Sequence, residues 1–283
     1  MTATGDAGAY GSPPVITLTT DFGARDPYVA EVKGVILAVA ATLGRVVQIV
    51  DVTHEIARHD VIEGALALEA VAAVFPPATV HVAVVDPGVG TARRAVAVAA
   101  GGQVFLAPDN GLVTPCLGPG WRAVALEAPE YRRPAVSRTF HGRDIFAPAA
   151  AHVALGLPIE RLGPPLLDPL RLRWEDARAD HGMVVGAVLH VDRFGNLITT
   201  IRQAQLPPGG TGMVVRIAGR RLPLVGAYGD LRRGQAGALI GSGGRLEIAV
   251  REGSAATRLR ARRGATVSVS RRTTVRRSAR TRV

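Results

Sequence analysis

One cysteine, Cys116, stands in 283 residues. It has no partner for an internal disulfide, which fits a reducing cytosol, and its setting, LVTPCLG, offers no neighbouring base to make it a nucleophile. Aromatic residues make up 4% of the chain, so Val, Ala and Leu must fill the core that a 47% hydrophobic content allows. No apolar stretch reaches the ~18 residues that a membrane span needs. The opening MTATGDAGAYGSPP lacks a basic region followed by an apolar one, so it reads as a disordered leader over 1–13 rather than a secretory signal. The spacing of His141 and Asp144 hints at metal, but no second His or Cys completes a ligand set. No GxxxxGK[ST] string cradles phosphate, and Lys33 is the only lysine.

The formal net charge is +11. Residues 258–283 hold ten Arg and no acid, and without them 24 basic side chains face 23 acidic ones. The body therefore reads as nearly neutral. The end, RRTTVRRSARTRV from Arg271, could touch RNA, DNA or anionic lipid through nonspecific phosphate contacts. A solvated extension is the preferred reading. Basic residues in the body lack the aromatic interleaving that stacks bases.

What is present is a repeated pattern. The apolar run Val80 to Val85 meets Asp86, and Pro87, Gly88 and Gly90 then force a tight loop that delivers Arg93. VITLTT (15–20) likewise ends at Asp21, and VVQIV (46–50) at Asp51. Such runs suit strands buried on both faces of a parallel sheet. Helical spacing fills 28–44 and 60–75, with Pro76 and Pro77 closing the second. The order β-α-β-α-β predicts that Asp21, Asp51 and Asp86 line one sheet edge, where open α/β sheets bind ligands. Three carboxylates there suit a ligand rich in hydroxyls or carrying positive charge, although Asp51 could instead cap the next turn. FLAPDNGLVTP (105–115) reads as a strand and turn, and His141 falls just ahead of a helix expected to begin near Asp144.

Residues 163–182 are rich in Pro and charge without sustained period, which marks a boundary. Beyond it MVVGAVLHVDRFGNLITTI (183–201) predicts a hairpin, and short β stretches follow at 213–217, 222–225, 237–241, 245–250 and 265–269. The expected fold class is α/β. An amino-terminal α/β sandwich domain with a largely parallel sheet spans 14–170, a linker 171–182, and a smaller antiparallel β-barrel-like domain 183–270, before a basic tail over 271–283.

Eight strings, taken in order, carry a resemblance. They are TTDFGARDPYV (19–29), VDVTHEI (50–56), VDPGVGTARR (85–94), APDNG (107–111), TFHGRD (139–144), VDRFGN (191–196), AYGD (227–230) and GSGGRLEIAV (241–250). Through them, over roughly residues 15–270, the chain resembles the S-adenosylmethionine (SAM) hydroxide adenosyltransferases, relatives of the fluorinase and chlorinase enzymes. The resemblance implies that Asp86, Arg93 and His141 hold and activate water. It implies that Asp21 binds the ribose hydroxyls and that Asp26 and Asp192 lie near the methionine ammonium. Phe194, Asn196 and Tyr228 would stack on or hydrogen-bond the adenine, and Ser242 and Glu247 would also reach the ligand. Halogenating relatives replace the Asp86 position with Tyr and carry an extra loop soon afterwards, so this chain sides with the hydrolases. Two positions depart from the pattern: Arg245 stands where family members usually show Tyr, and His59 where halogenating relatives place an aromatic wall.

The implied reaction is attack of water on the 5′ carbon of SAM, giving adenosine and L-methionine. SAM is then a substrate, and neither a cofactor nor a metal is expected. The resemblance also implies a homotrimer with its pocket between subunits, and the lone cysteine fits a cytoplasmic setting. Two alternatives stay open: a chloride or fluoride adenosyltransferase, and a non-catalytic adenosine- or SAM-binding module whose tail engages nucleic acid.

Overall fold

The computed structural model describes residues 12–174, 176–206 and 212–271; the expected leader up to residue 11 and the expected tail from 272 lie outside them. The chain folds as two compact units, Met1–Leu172 and Arg173–Val283. Among the described residues no helix is long and apolar enough to cross a membrane.

The first unit is built on a six-stranded sheet. Its strands are β1 (Val15–Thr20), β2 (Gln48–Thr53), β3 (Val80–Val84), β4 (Ala95–Ala100), β5 (Gln103–Pro108) and β6 (Arg122–Ala125), in the spatial order β2-β1-β3-β5-β4-β6. β1 runs parallel to β2 and β3, β3 runs parallel to β5, and β4 alone runs against the other strands. The largely parallel sheet read from the apolar runs is present. Helices α1 (Tyr28–Thr42), α2 (Val61–Ala72) and α3 (Ala147–Ala154) accompany it. Asp60 caps α2 by accepting from the Glu63 amide at 3.0 Å. Ile16, Leu18, Val82, Leu106 and Phe146 are buried in the core, and each such side chain contributes ~1.5–3 kcal/mol on leaving water.

Register decides where the carboxylates fall. Thr20 at the end of β1 pairs with Val84 at the end of β3, so Asp21 and Asp86 emerge together at one edge. Asp51 does not join them. β2 continues to Thr53, which leaves Asp51 within the strand opposite Leu18.

The second unit is antiparallel throughout its named strands. These are β7 (Arg178–Asp180), β8 (Met183–Val191), β9 (Leu197–Arg202), β10 (Met213–Ile217), β11 (Arg220–Pro223), β12 (Ala236–Ile240), β13 (Arg245–Val250) and β14 (Thr266–Arg271), with the short helix α4 (Ala255–Leu259) between the last two. Their order is β11-β10-β14-β8-β9-β13-β12, and β7 pairs with β8. A bridge from Leu224 to Ala238 brings the two ends together, so the sheet is nearly a closed barrel around Leu197, Ile201, Val215, Leu246, Ile248 and Val267.

Candidate active site

In the first unit, Asp86, Arg93 and His141 meet although 48 positions of chain separate the last two. Arg93 Nε donates to Asp86 Oδ1 at 2.9 Å and to Oδ2 at 3.0 Å, and Arg93 Nη2 makes a further short bond to Oδ2. The same Nη2 donates to His141 Nδ1 at 2.7 Å. Arginine has only donors, so Nδ1 must be the acceptor and the imidazole is neutral, with its proton on Nε2. Burial and the Arg93 charge both push His141 below its usual value, against the pull of Asp86. The Asp86 and Arg93 side chains are 6% and 10% exposed, so the pair is sheltered from screening water.

Two loops carry these groups, and one glycine lets them touch. Gly90 has φ +76°, and a Cβ there would lie 2.3 Å from the Arg138 carbonyl oxygen. The loop with Asp86 and Arg93 therefore packs directly on the segment leading to His141. On that segment Asp144, wholly buried, accepts from Arg143 Nε at 2.7 Å, the Ser137 amide at 2.8 Å and Arg133 Nη1 at 3.3 Å. Burial works against its charge, yet these donors hold its carboxyl below the usual carboxylate range. In place of an α-helix starting near Asp144, residues Gly142–Phe146 form a π turn, closed by the Ala147 amide on the Gly142 carbonyl, before α3 begins.

A cleft of about 870 Å³ opens over this group, lined among others by Asp21, Asp26, Asp86 and His141. Asp21 Oδ2 accepts from the His59 amide at 2.9 Å, with His59 in the left-handed region at φ 64°. His59 itself lines the cleft. Phe22, Tyr28 and Phe140 form an edge-to-face cluster on its wall, with centroids 5.4–6.2 Å apart. Beside them Arg143 pairs with Glu31 at 2.7 Å.

Asp51 is engaged elsewhere. Lys33 Nζ reaches Asp51 Oδ2 at 2.6 Å and His54 Nε2 reaches Oδ1 at 3.1 Å. Burial opposes its charge, but Lys33 and His54 keep its carboxyl below the usual range. His54 Nδ1 meets Thr20 Oγ1 at 2.9 Å, and the Phe22 amide donates to that same hydroxyl. This chain of bonds braces the turn that presents Asp21.

In the second unit, Asp192 organises the β8–β9 turn. Its Oδ1 accepts from the amides of Phe194 (2.9 Å) and Asn196 (2.8 Å), and its Oδ2 from Asn196 Nδ2 at 3.0 Å. Asn196 is buried, whereas Phe194 is 77% exposed at the tip. The Tyr228 hydroxyl donates to Glu247 Oε1. Burial pushes the Glu247 carboxyl up, Tyr228 opposing and Asp192 adding to the rise, while burial and Glu247 push the phenol up. Ser242 lies in the turn between β12 and β13. Arg245 is buried, its guanidinium 5.8 Å from the Trp174 ring centre. Among the described residues no group of three His, Cys, Asp or Glu could hold a metal.

Sequence reading did not single out the roles of Asp144, Glu31 and the Phe22–Tyr28–Phe140 cluster. An Arg-Asp pair just after His141, inside an otherwise apolar helix start, was the available signal for Asp144.

The state of His141 sets a pH dependence. Its folded value lies below 6.5, so as pH falls below 6.5 the unfolded chain takes up the proton first and acid weakens folding there. Protonation of Nδ1 also breaks its acceptance from Arg93. Activity should be flat through neutral pH and fall with an acid-limb midpoint below 6.5, read from kcat/KM against pH. A midpoint above 6.5 would contradict the neutral imidazole.

Comparison with known proteins gives consistent matches. The SAM hydroxide adenosyltransferase N-terminal domain model matches residues 16–163, and the C-terminal domain model residues 186–268. An (R)-S-adenosyl-L-methionine hydrolase of Thermus thermophilus is 45% identical over 251 residues, covering 86% of this chain and 93% of that one. A fluorinase of Nocardia brasiliensis is 30% identical, covering 92% and 97%. The crystal structure of an uncharacterized conserved protein from Thermotoga maritima superposes with TM-score 0.83 at 34% identity, covering 90% of this chain and all of the other.

Proposed function

We infer function from one premise: the chain belongs to the SAM hydroxide adenosyltransferase family. It is a hydrolase of S-adenosyl-L-methionine, with adenosine and L-methionine as products. The higher identity to a hydrolase than to a fluorinase favours water over halide as the nucleophile.

The observation that supports the mechanism is Arg93 bridging Asp86 and His141, both of which line the cleft. In this reading His141 Nε2–H donates to the oxygen of the attacking water. Asp86 Oδ1, which accepts one bond from Arg93 while Oδ2 accepts two, takes the departing proton. The new C–O bond forms as the 5′ carbon–sulfur bond breaks, and its electron pair leaves on sulfur as a neutral thioether. Charge is annihilated, so a site that excludes bulk water favours the step. A sulfonium needs no further activation to leave, and the mechanism draws on no cofactor. Asp21 would hold the ribose and Asp26 the ammonium.

Incubation of the purified protein with SAM should release adenosine. A halogenated nucleoside in excess chloride or fluoride would instead make it a halide transferase, and tight unhydrolysed ligand would make it a binding module.

The proposal extends to a cytoplasmic setting, consistent with a lone cysteine, and to a homotrimer whose neighbouring subunit supplies Asp192, Phe194, Asn196, Tyr228, Ser242 and Glu247 to the ligand. Mixing two inactive variants, Asp86→Asn and Phe194→Ala, under conditions of subunit exchange should then restore about a quarter of wild-type activity. No recovery in verified hybrids would place both groups on one subunit.

A further inference from the structure

Dividing the charge at the boundary between units, rather than at residue 258, exposes an asymmetry. Residues 1–172 hold 13 basic and 16 acidic side chains, whereas 173–271 hold 16 Arg against 7 acids, before the basic end is counted. An acidic unit had masked a basic one.

Within that second unit the charge is gathered. Two adjoining depressions of about 500 and 720 Å³ share Arg220, Arg258 and Leu259, and their walls add Arg221 and Arg260. No Asp or Glu lines either one. None of the four arginines makes an ion pair or side-chain hydrogen bond among the described residues; the nearby Glu252 is taken by Arg233 at 2.8 Å. The fold presents them deliberately. A two-residue turn, Ala218 at φ 45° and Gly219 at φ 72°, leads straight into Arg220 and Arg221 on β11. Arg260 occupies the left-handed cap of α4 at φ 51°, a position that glycine or asparagine fills at lower cost. An arginine kept there puts a guanidinium on the groove at the expense of backbone comfort.

We propose that this groove on the second unit binds the phosphate backbone of nucleic acid, without sequence preference. Guanidinium forks match phosphate oxygens, and like charges left together without acid partners are stabilised by a polyanion. The absence of aromatic residues from the lining argues for backbone contact rather than base stacking. Four guanidinium groups spread over two adjoining depressions suit successive phosphates rather than one free anion. A membrane surface fits less well. It is flat, and the unit's exposed large apolar side chains among the described residues, Phe194 and Tyr228, do not line the groove to anchor in lipid.

The test is salt-dependent binding of the full chain to a short labelled RNA of mixed sequence and to a DNA duplex, followed by fluorescence anisotropy. Substituting Arg220→Gln, Arg221→Gln, Arg258→Gln and Arg260→Gly together, with the end of the chain intact, should lower the slope of log K on log salt by roughly 3–4 for duplex. Hydrolysis of SAM should be unchanged. If the combined variant fails to fold, Arg260→Gly alone, which suits its backbone, should lower the slope by about 1. Absence of nucleic-acid binding by the wild-type chain would overturn the proposal. So would an unchanged slope, which would assign binding to residues 272–283. Loss of binding to phosphatidylserine vesicles alone, or a changed oligomeric state with nucleic-acid binding intact, would overturn it in favour of lipid or of a second copy.

Discussion

Asp86→Asn is expected to leave the fold and SAM binding intact and to lower kcat by ~10²–10⁴-fold. The substitution keeps shape and one acceptor oxygen, so Arg93 Nε can still bond to it. It turns an amide N–H₂ toward the guanidinium or the water, and it removes the lone pair that receives the proton. Because this carboxylate acts on the nucleophile rather than on the adenosyl group, KM should move only a few-fold and the loss should fall in kcat. Turnover kinetics with SAM, alongside a melting curve, separate these effects. Activity within a few-fold of wild type would take Asp86 out of the reaction, and a large rise in KM with kcat preserved would make it a binding group.

Asp144→Ala should have the largest effect on stability, about 3 kcal/mol. This carboxylate has no solvent exposure and satisfies two arginines and a backbone amide, all on the segment that carries His141. Truncation takes the shared acceptor from Arg143, which keeps Glu31, and from the partly exposed Arg133, and leaves the Ser137 amide without its acceptor. The cost lies in the lost charge-assisted hydrogen bonds and in the amide left unpaired. For a chain of this size the loss corresponds to a melting point lower by about 10 °C. A drop of under 3 °C would show that the segment holds its conformation without this anchor. Asp144→Asn, which cannot satisfy both guanidinium groups, should be destabilised as well.

The parts of this fold that were legible in the sequence are those where periodicity and register coincide. β1 and β3 are rich in apolar and β-branched residues and lead into Asp21 and Asp86, so the pattern alone places both carboxylates on one edge. The barrel strands were legible because glycine-rich turns punctuate them. β4 and β6 were less so: AVAVAA and RAVA are short, alanine-rich and without a distinctive period. Asp51 was misplaced by two residues of strand, enough to move it from the edge into the bracing of Thr20 and His54. His141 was found as a lone imidazole beside glycine, but nothing in spacing shows that Arg93 would fix its tautomer. That fact belongs to tertiary contact. Charge was misleading for a different reason, since a total over the chain averages units of opposite sign.

The wide turn at Gly142–Phe146 has a consequence for insertions and deletions. It houses one residue more than an α-helical turn would, so excising any single residue from it would let α3 run on regularly and swing everything upstream by about 100°. The imidazole would be carried round to another side of the helix axis, away from the guanidinium. A loss of one codon here should thus silence the enzyme and cost stability as well, since Ser137 and Arg133 would swing away from Asp144.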